Sequence, residues 1–315
     1  MASLTAPATA PERHSHAVAE GSDAKRLTIA LVLILAFMAA EVVTGIFAHS
    51  LALLSDAAHM LTDAGALALS LVTLRLVARP AAGNFTFGLK RMEAFSAQAN
   101  GFTLLVLAGL IIYEGIKRLV SPPQPVGLAV LVVAVAGIVV NLLASWQLAK
   151  ANRESLNIEG SFQHILTDLA AFIATAIAGA VILLTGFARA DGIAALLVAA
   201  IMLKAAYSLL KASGRVFLEA APAGTDVTAI GAALAAQPGV SSVRDLHVWE
   251  IGSGLPSLSA HVRVAAAADC HAIRAELAGL LHDRFGIDHV TLQVDHVDDE
   301  ACVALPAASM ANGPG

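Results

Sequence analysis

Long apolar stretches recur six times in the first two thirds of the chain, at approximately 27–47, 51–77, 94–118, 126–149, 158–187 and 191–211. Each reaches the roughly 20 helical residues needed to cross a hydrocarbon core about 30 Å thick. Ser121-Pro122-Pro123-Gln124-Pro125 separates the third from the fourth, and the segment from Thr185-Gly186 to Asp191-Gly192 separates the fifth from the sixth. The pattern predicts six transmembrane helices over residues 27–213, preceded by a polar, disordered tail over 1–26.

Beyond Arg215 the periodicity changes. Residues 226–237 read as a helix, 243–251 and 257–265 alternate as strands around Gly252-Ser253-Gly254, 269–285 read as a second helix and 288–297 as a third strand. The order α-β-β-α-β predicts a small α+β domain over 214–298 with its helices on one face of a sheet. A second disordered tail is expected over 299–315.

Composition agrees with a membrane protein. The chain has 315 residues, 57% hydrophobic and 14% charged, against roughly half and a quarter in soluble domains. Placing the N-terminus in the cytoplasm puts eleven Lys and Arg on inside segments and three on outside segments, so both termini are expected to be cytoplasmic. Residues 214–315 carry twelve acidic and five basic side chains, net −7 of the chain's −5, which leaves the remainder at +2. An acidic terminal third speaks against nucleic acid as a partner and suits cations. Cys270 and Cys302 have no CxxC partner, so neither a disulfide framework nor a thiolate zinc site is expected. No Gly-x-x-x-x-Gly-Lys-Ser/Thr occurs, so no nucleotide is expected to take part.

Ionisable groups inside the spans are the candidate chemistry, because each charge at membrane depth costs about 2.5–3.5 kcal/mol or more. The second span holds Asp56, His59 and Asp63, and the fifth holds His164 and Asp168. His59/Asp63 and His164/Asp168 repeat one His-x-x-x-Asp spacing, which puts each pair on one helix face. Together they offer two imidazole nitrogens and two carboxylates, a tetrahedral donor set suited to Zn2+. Co2+ and Ni2+ are also compatible, whereas Mg2+ and Ca2+ favour all-oxygen shells. Asp56, three residues before His59, is placed beside the site or on its access route. One such pair would be unremarkable as helix-packing polarity; two on different spans are not. Glu41, Asn100 and Asn141 are expected to pack helices together or to line a hydrated path.

Ser55-Asp56-Ala57-Ala58-His59-Met60-Leu61-Thr62-Asp63, Gly160-Ser161-Phe162-Gln163-His164-Ile165-Leu166-Thr167-Asp168, and Phe85-Thr86-Phe87-Gly88 with Arg91 and Glu93 resemble the cation diffusion facilitator family, in its bacterial zinc-exporter branch. The resemblance covers about residues 25–297. It implies a homodimeric exporter that exchanges cytoplasmic Zn2+, with Co2+, Cd2+ and Ni2+ as alternative cations, for protons at the two His-x-x-x-Asp pairs. It also implies a ferredoxin-like, metallochaperone-like cytoplasmic domain that binds further metal and helps dimerise. The chain departs from some members in having no His in 78–93 or in 150–157, so neither a loop site nor a His-rich metal-collecting loop is expected.

Six of the eleven His fall in the terminal domain. Alternation places His261 on the open sheet face, together with His289 and Asp295, and His247 can join them. The resemblance points to the same four as cytoplasmic ligands. The plain alternative is a solvated polar face. His271 is a weaker candidate, His282 reads as a surface helix residue, and His296 points to the opposite side from Asp295. His14 and His16 read as linker. Two rival functions are a membrane metal sensor and an intramembrane metallohydrolase. The second needs an open coordination position and a general base such as the Glu of His-Glu-x-x-His, a motif that does not occur. The inner (plasma) membrane of a bacterium is the expected location.

Overall fold

The computed structural model describes residues 14–47, 51–121 and 127–297; within these, the side chains of 14–21, 45, 51–56, 58, 59, 127–130, 132 and 133 lie outside the description. The chain divides into two compact units, Met1–Ser213 and Gly214–Gly315.

The first unit contains six apolar helices: α1 (His14–Phe47), α2 (Leu51–Val77), α3 (Met92–Val120), α4 (Gly127–Leu148), α5 (Leu156–Thr185) and α6 (Ala190–Phe217). Among the described residues, stretches in five of them meet the length and hydropathy of a membrane crossing, and α4 contributes the apolar stretch Ala134–Leu148. Large apolar side chains such as Val43, Leu110, Ile177 and Leu197 point outward, as a lipid-facing surface requires. The expected tail over 1–26 is corrected in part, because α1 begins at His14. Within that stretch Asp23 is buried, and its carboxylate accepts a hydrogen bond from the Asn152 backbone at 3.3 Å, which ties α1 to the segment that follows α4.

Two packing groups organise these helices. Leu27, Ile34, Met60, Leu67, Ala144, Leu148, Ile158 and Ile165 form one core, drawn from α1, α2, α4 and α5. Leu104, Ala108, Val198, Met202, Ala206 and Leu209 form another, between α3 and α6. Without a hydrophobic drive between helices in lipid, close contact needs small residues. Gly101 lies against Leu209 and Leu210, and Gly115 against Ala195 and Leu196; a Cβ on either would come within 3.1 Å of its neighbour.

In the second unit, α7 (Val227–Ala235) precedes β1 (Val240–Glu250) and β2 (Pro256–Val264), then α8 (Cys270–Phe285) and β3 (His289–His296). The sheet order is β1-β2-β3, with β1 antiparallel and β3 parallel to β2. Asp226 and Asp269 cap the two helices by accepting from backbone N–H groups one turn in. Ile230 and Leu234 of α7 and Ile273, Leu277 and Leu281 of α8 close over Leu258, Ala260, Val262 and Val264 of β2. The helices thus cover one face, and the other carries the polar side chains of the alternation.

Candidate cation site

Asp63 sits in α2, one turn past Met60 in the helical core, and is 7% exposed; His164 in α5 is 1% exposed. Their side chains meet across the two helices, His164 Nε2 to Asp63 Oδ1 at 2.8 Å. Asp168 lies one turn further along α5, on the same face as His164. Ligating atoms of Asp63, His164 and Asp168 all fall within 4.8 Å of one another. Among the described residues this is the one cluster of three or more His, Cys, Asp or Glu with that closeness. His164 Nδ1 is buried without a hydrogen-bond partner among the described residues. Thr167 Oγ donates to the His164 carbonyl at 2.6 Å and fixes the local turn.

Two carboxylates and an imidazole converging in an apolar bundle supply two negative charges and a soft-to-borderline nitrogen donor. That set neutralises a doubly charged cation and matches Zn2+-like ions in ligand type. The side chains of His59 and Asp56 lie outside the described residues, as do those of His14 and His16.

A cavity of about 150 Å3 opens beside the cluster, lined by Asp63, Asp168, Met60, Thr167, Phe172 and Met202 among others. It shares Ile111, Ala171 and Thr175 with a second cavity of about 220 Å3, which ends at Glu114, Arg118 and Asp191. Arg118 and Asp191 are joined at 2.6 Å, tying the end of α3 to the start of α6. Sequence reasoning did not single out this pair, nor Ser70, Asn157 and Ser161, which bond across α2 and α5. A signal for the last three existed: Ser70 follows Asp63 by seven residues, and Ser161 and Asn157 precede His164 by three and seven. Asn141 donates to the Gly137 carbonyl within its own helix, and Glu41 is buried in α1.

In the second unit the sheet register sorts the polar residues. His247 pairs with Ser259, which reaches the open face because a bulge between Arg244 and His247, with Asp245 at φ 55°, resets the alternation. His261 pairs with Gln293 and Asp295 with Arg263, so His261 is a diagonal neighbour of both His247 and Asp295. Diagonal positions lie about 7–8 Å apart, within reach of long side chains. His289 pairs with Ser257, four residues along β2 from His261 and so about 13 Å away. It shares the face but not the cluster. His271 is exposed at the start of α8. His282 Nδ1 meets Asp288 Oδ1 at 2.5 Å, and that carboxylate raises the imidazole pKa above its ordinary value. His296 bonds through Nε2 to the Ala268 carbonyl, on the helix side of the sheet.

Residues 27–218 match the cation efflux transmembrane domain, and 222–297 match the cation efflux protein cytoplasmic domain. The chain is similar to the metal cation efflux system protein CzcD of Cupriavidus metallidurans, 40% identical over 90% of this chain and 89% of that one. It is 36% identical to the cadmium, cobalt and zinc/H(+)-K(+) antiporter of Bacillus velezensis, over 90% of this chain and 91% of that protein. It is 35% identical to the zinc transporter ZitB of Escherichia coli, over 90% and 92%. With both of its domains matched and its apolar helices long enough to cross a bilayer, the chain is an integral membrane transporter rather than an enzyme, and it belongs to the cation diffusion facilitator family.

Proposed function

We propose that the chain exports a divalent transition metal, Zn2+ foremost, from the cytoplasm across a bacterial plasma membrane in exchange for protons. The observation that carries this reading is the convergence of Asp63, His164 and Asp168 from two membrane helices to within 4.8 Å. His59, four residues before Asp63 in the sequence, supplies the fourth ligand and completes a His2Asp2 set. The relatives named for zinc, cadmium and cobalt support the metal class, and the one named as a proton antiporter supports the coupling.

Ligation requires neutral imidazole and ionised carboxylate, so binding the cation expels protons. An ordinary imidazole titrates near pH 6.5, close enough to physiological pH for one side to load metal and the other to reload protons. Alternating exposure of one midplane site then moves one species each way. Two chains associate through the cytoplasmic unit, both termini lie in the cytoplasm, and His247, His261 and Asp295 form a secondary metal patch on the open sheet face. His289 stands apart from that patch along the sheet.

The proton arm is tested with purified full-length chain in liposomes holding a pH-sensitive dye. Adding Zn2+ outside is expected to change the internal pH only when the protein is present, and to do so in the direction of counter-movement. Zn2+ accumulation with no accompanying pH change would overturn the antiport reading.

A further inference from the structure

The two sides of the Asp63–His164–Asp168 cluster are built differently. Towards the C-terminal half of α5, two neighbouring cavities that share Ile111, Ala171 and Thr175 in their walls lie between Asp168 and the group Glu114, Arg118 and Asp191. Towards the loop joining α2 to α3, the helices are clasped. Ser70 Oγ and Ser161 Oγ lie 2.6 Å apart, and Asn157 Nδ2 donates to the Ser70 carbonyl at 2.9 Å. Ser161 also reaches the Asn157 carbonyl at 3.2 Å. All three residues are fully buried, at 0–1% exposure. Ser70 lies about 10 Å along α2 from Asp63, and Asn157 a similar distance along α5 from His164. The clasp therefore lies between the cluster and the side bearing Arg75, Arg79, Lys90 and Arg91.

Around the clasp stand further buried polar atoms. Asn157 Oδ1, Asn100 Nδ2, Ser96 Oγ and Thr73 Oγ1 are all buried without a hydrogen-bond partner among the described residues. Asn100 lies directly against Gly160, where a Cβ would come within 3.2 Å of its Nδ2, between Asn157 and Ser161 on α5. Ser96 is one turn nearer the loop on the same face of α3. Native interiors satisfy nearly all such groups, and hydrocarbon makes an orphan more costly still. Apolar residues of similar size would pack α2, α3 and α5 at less expense. A second arrangement in which these groups meet water explains why polar ones stand here.

We propose that Ser70, Ser96, Asn100, Asn157 and Ser161 line the passage by which a hydrated divalent cation reaches the cluster from the loop side, and that the Ser70–Ser161 bond holds it shut in this structure. The inference rests on the transport reading above and adds the route and its gate. Small hydroxyl and amide groups suit that task. They replace part of the ion's water shell without the charge that would trap it.

The test uses the full-length chain in membrane vesicles of both orientations, with Cys270→Ser and Cys302→Ser as background. A single Asn100→Cys is exposed to an impermeant, cationic methanethiosulfonate reagent. Labelling is expected to be at least about tenfold faster from the side of the α2–α3 loop, since a minor open state of even a few per cent reacts from that side alone. Adding Ser70→Ala is expected to speed it further by freeing Ser161. Ser96→Cys carries the same prediction should Asn100→Cys fail to assemble. Labelling that is equal from both sides, or faster from the opposite side, overturns the passage; a Ser70→Ala change with no acceleration overturns the gate. Zn2+ flux of the background chain is measured separately. Sided labelling without flux removes the transport reading and leaves the passage, whereas flux without sided labelling does the reverse.

Discussion

His164 on α5 and Asp63 on α2 are 101 residues apart in sequence and 2.8 Å apart in space. The bond brings the two His-x-x-x-Asp segments to one point and orients the imidazole towards a carboxylate. Asp63→Asn keeps a hydrogen-bonding oxygen but removes the charge that offsets a cation. Loss of an outer partner alone lowers metal affinity by about 10–100-fold, and loss of a charged ligand is expected to do at least as much. Calorimetric Zn2+ titration of the full chain, with His247 and His261 replaced to remove the proposed patch on the open sheet face, reads the effect. Unchanged affinity removes Asp63 from the site.

Phe172 connects packing to the site. It lines the cavity beside Asp168, stacks edge-on with Phe37 at 6.2 Å, and lies against Gly137 of α4. A Cβ at Gly137 would fall 2.5 Å from two carbons of the Phe172 ring. Gly137→Ala must therefore displace the ring or separate α4 from α5. Overpacking of this kind costs about 1–3 kcal/mol. A lower melting temperature in detergent together with slower metal flux is the expected result, and a protein that melts and transports normally shows that the ring yields freely.

The second unit has a core of its own, and Leu277 of α8 is fully buried in it. Leu277→Ala is expected to destabilise that unit by about 2–5 kcal/mol. Hydrogen exchange on the full chain should show faster exchange through β2 and β3. Exchange that stays at the wild-type rate there means the core is not organised around this residue.

A pH-dependent contact lies at the end of α8. The hydrogen bond from His282 to Asp288, and the charge of that carboxylate, raise the imidazole pKa in the folded protein. A raised folded value means the bond supports folding below the ordinary imidazole pKa, and its contribution fades as pH climbs through the raised value. The group is fully exposed, so the effect on stability is small. Titration followed by NMR should return His282 to an ordinary value in Asp288→Asn. An identical titration in wild type and variant shows that the pair does not form in solution.

The spans were legible because lipid demands long apolar stretches, and the strands because one buried face imposes a two-residue period. The start of β1 was less so: a register shift between Val240 and Ser242 breaks the two-residue period, so the strand reads as starting at 243 while it starts at Val240. The anchoring of Asp23, inside the expected tail, was hidden because its contact with Asn152 is tertiary and leaves no local trace. The His-x-x-x-Asp pairs stood out because charge is rare in lipid. Ser70, Asn157 and Ser161 did not, even though they fall on the helix stripe of Asp63 and His164. Single hydroxyls and amides are ordinary in membrane helices, and only their mutual contacts distinguish these three. The distance between His289 and His261 likewise required the register of β3 against β2, which alternation alone does not set.

In the proposed transport cycle Asp63, His164 and Asp168 hold the cation in transit. The most direct measurement of this role is Zn2+ flux driven by a pH gradient in liposomes containing the full-length chain, compared with His164→Ala and Asp168→Ala proteins of equal melting temperature. Near-complete loss of gradient-driven flux in both variants is the predicted result. Flux at the wild-type rate in either one would contradict it.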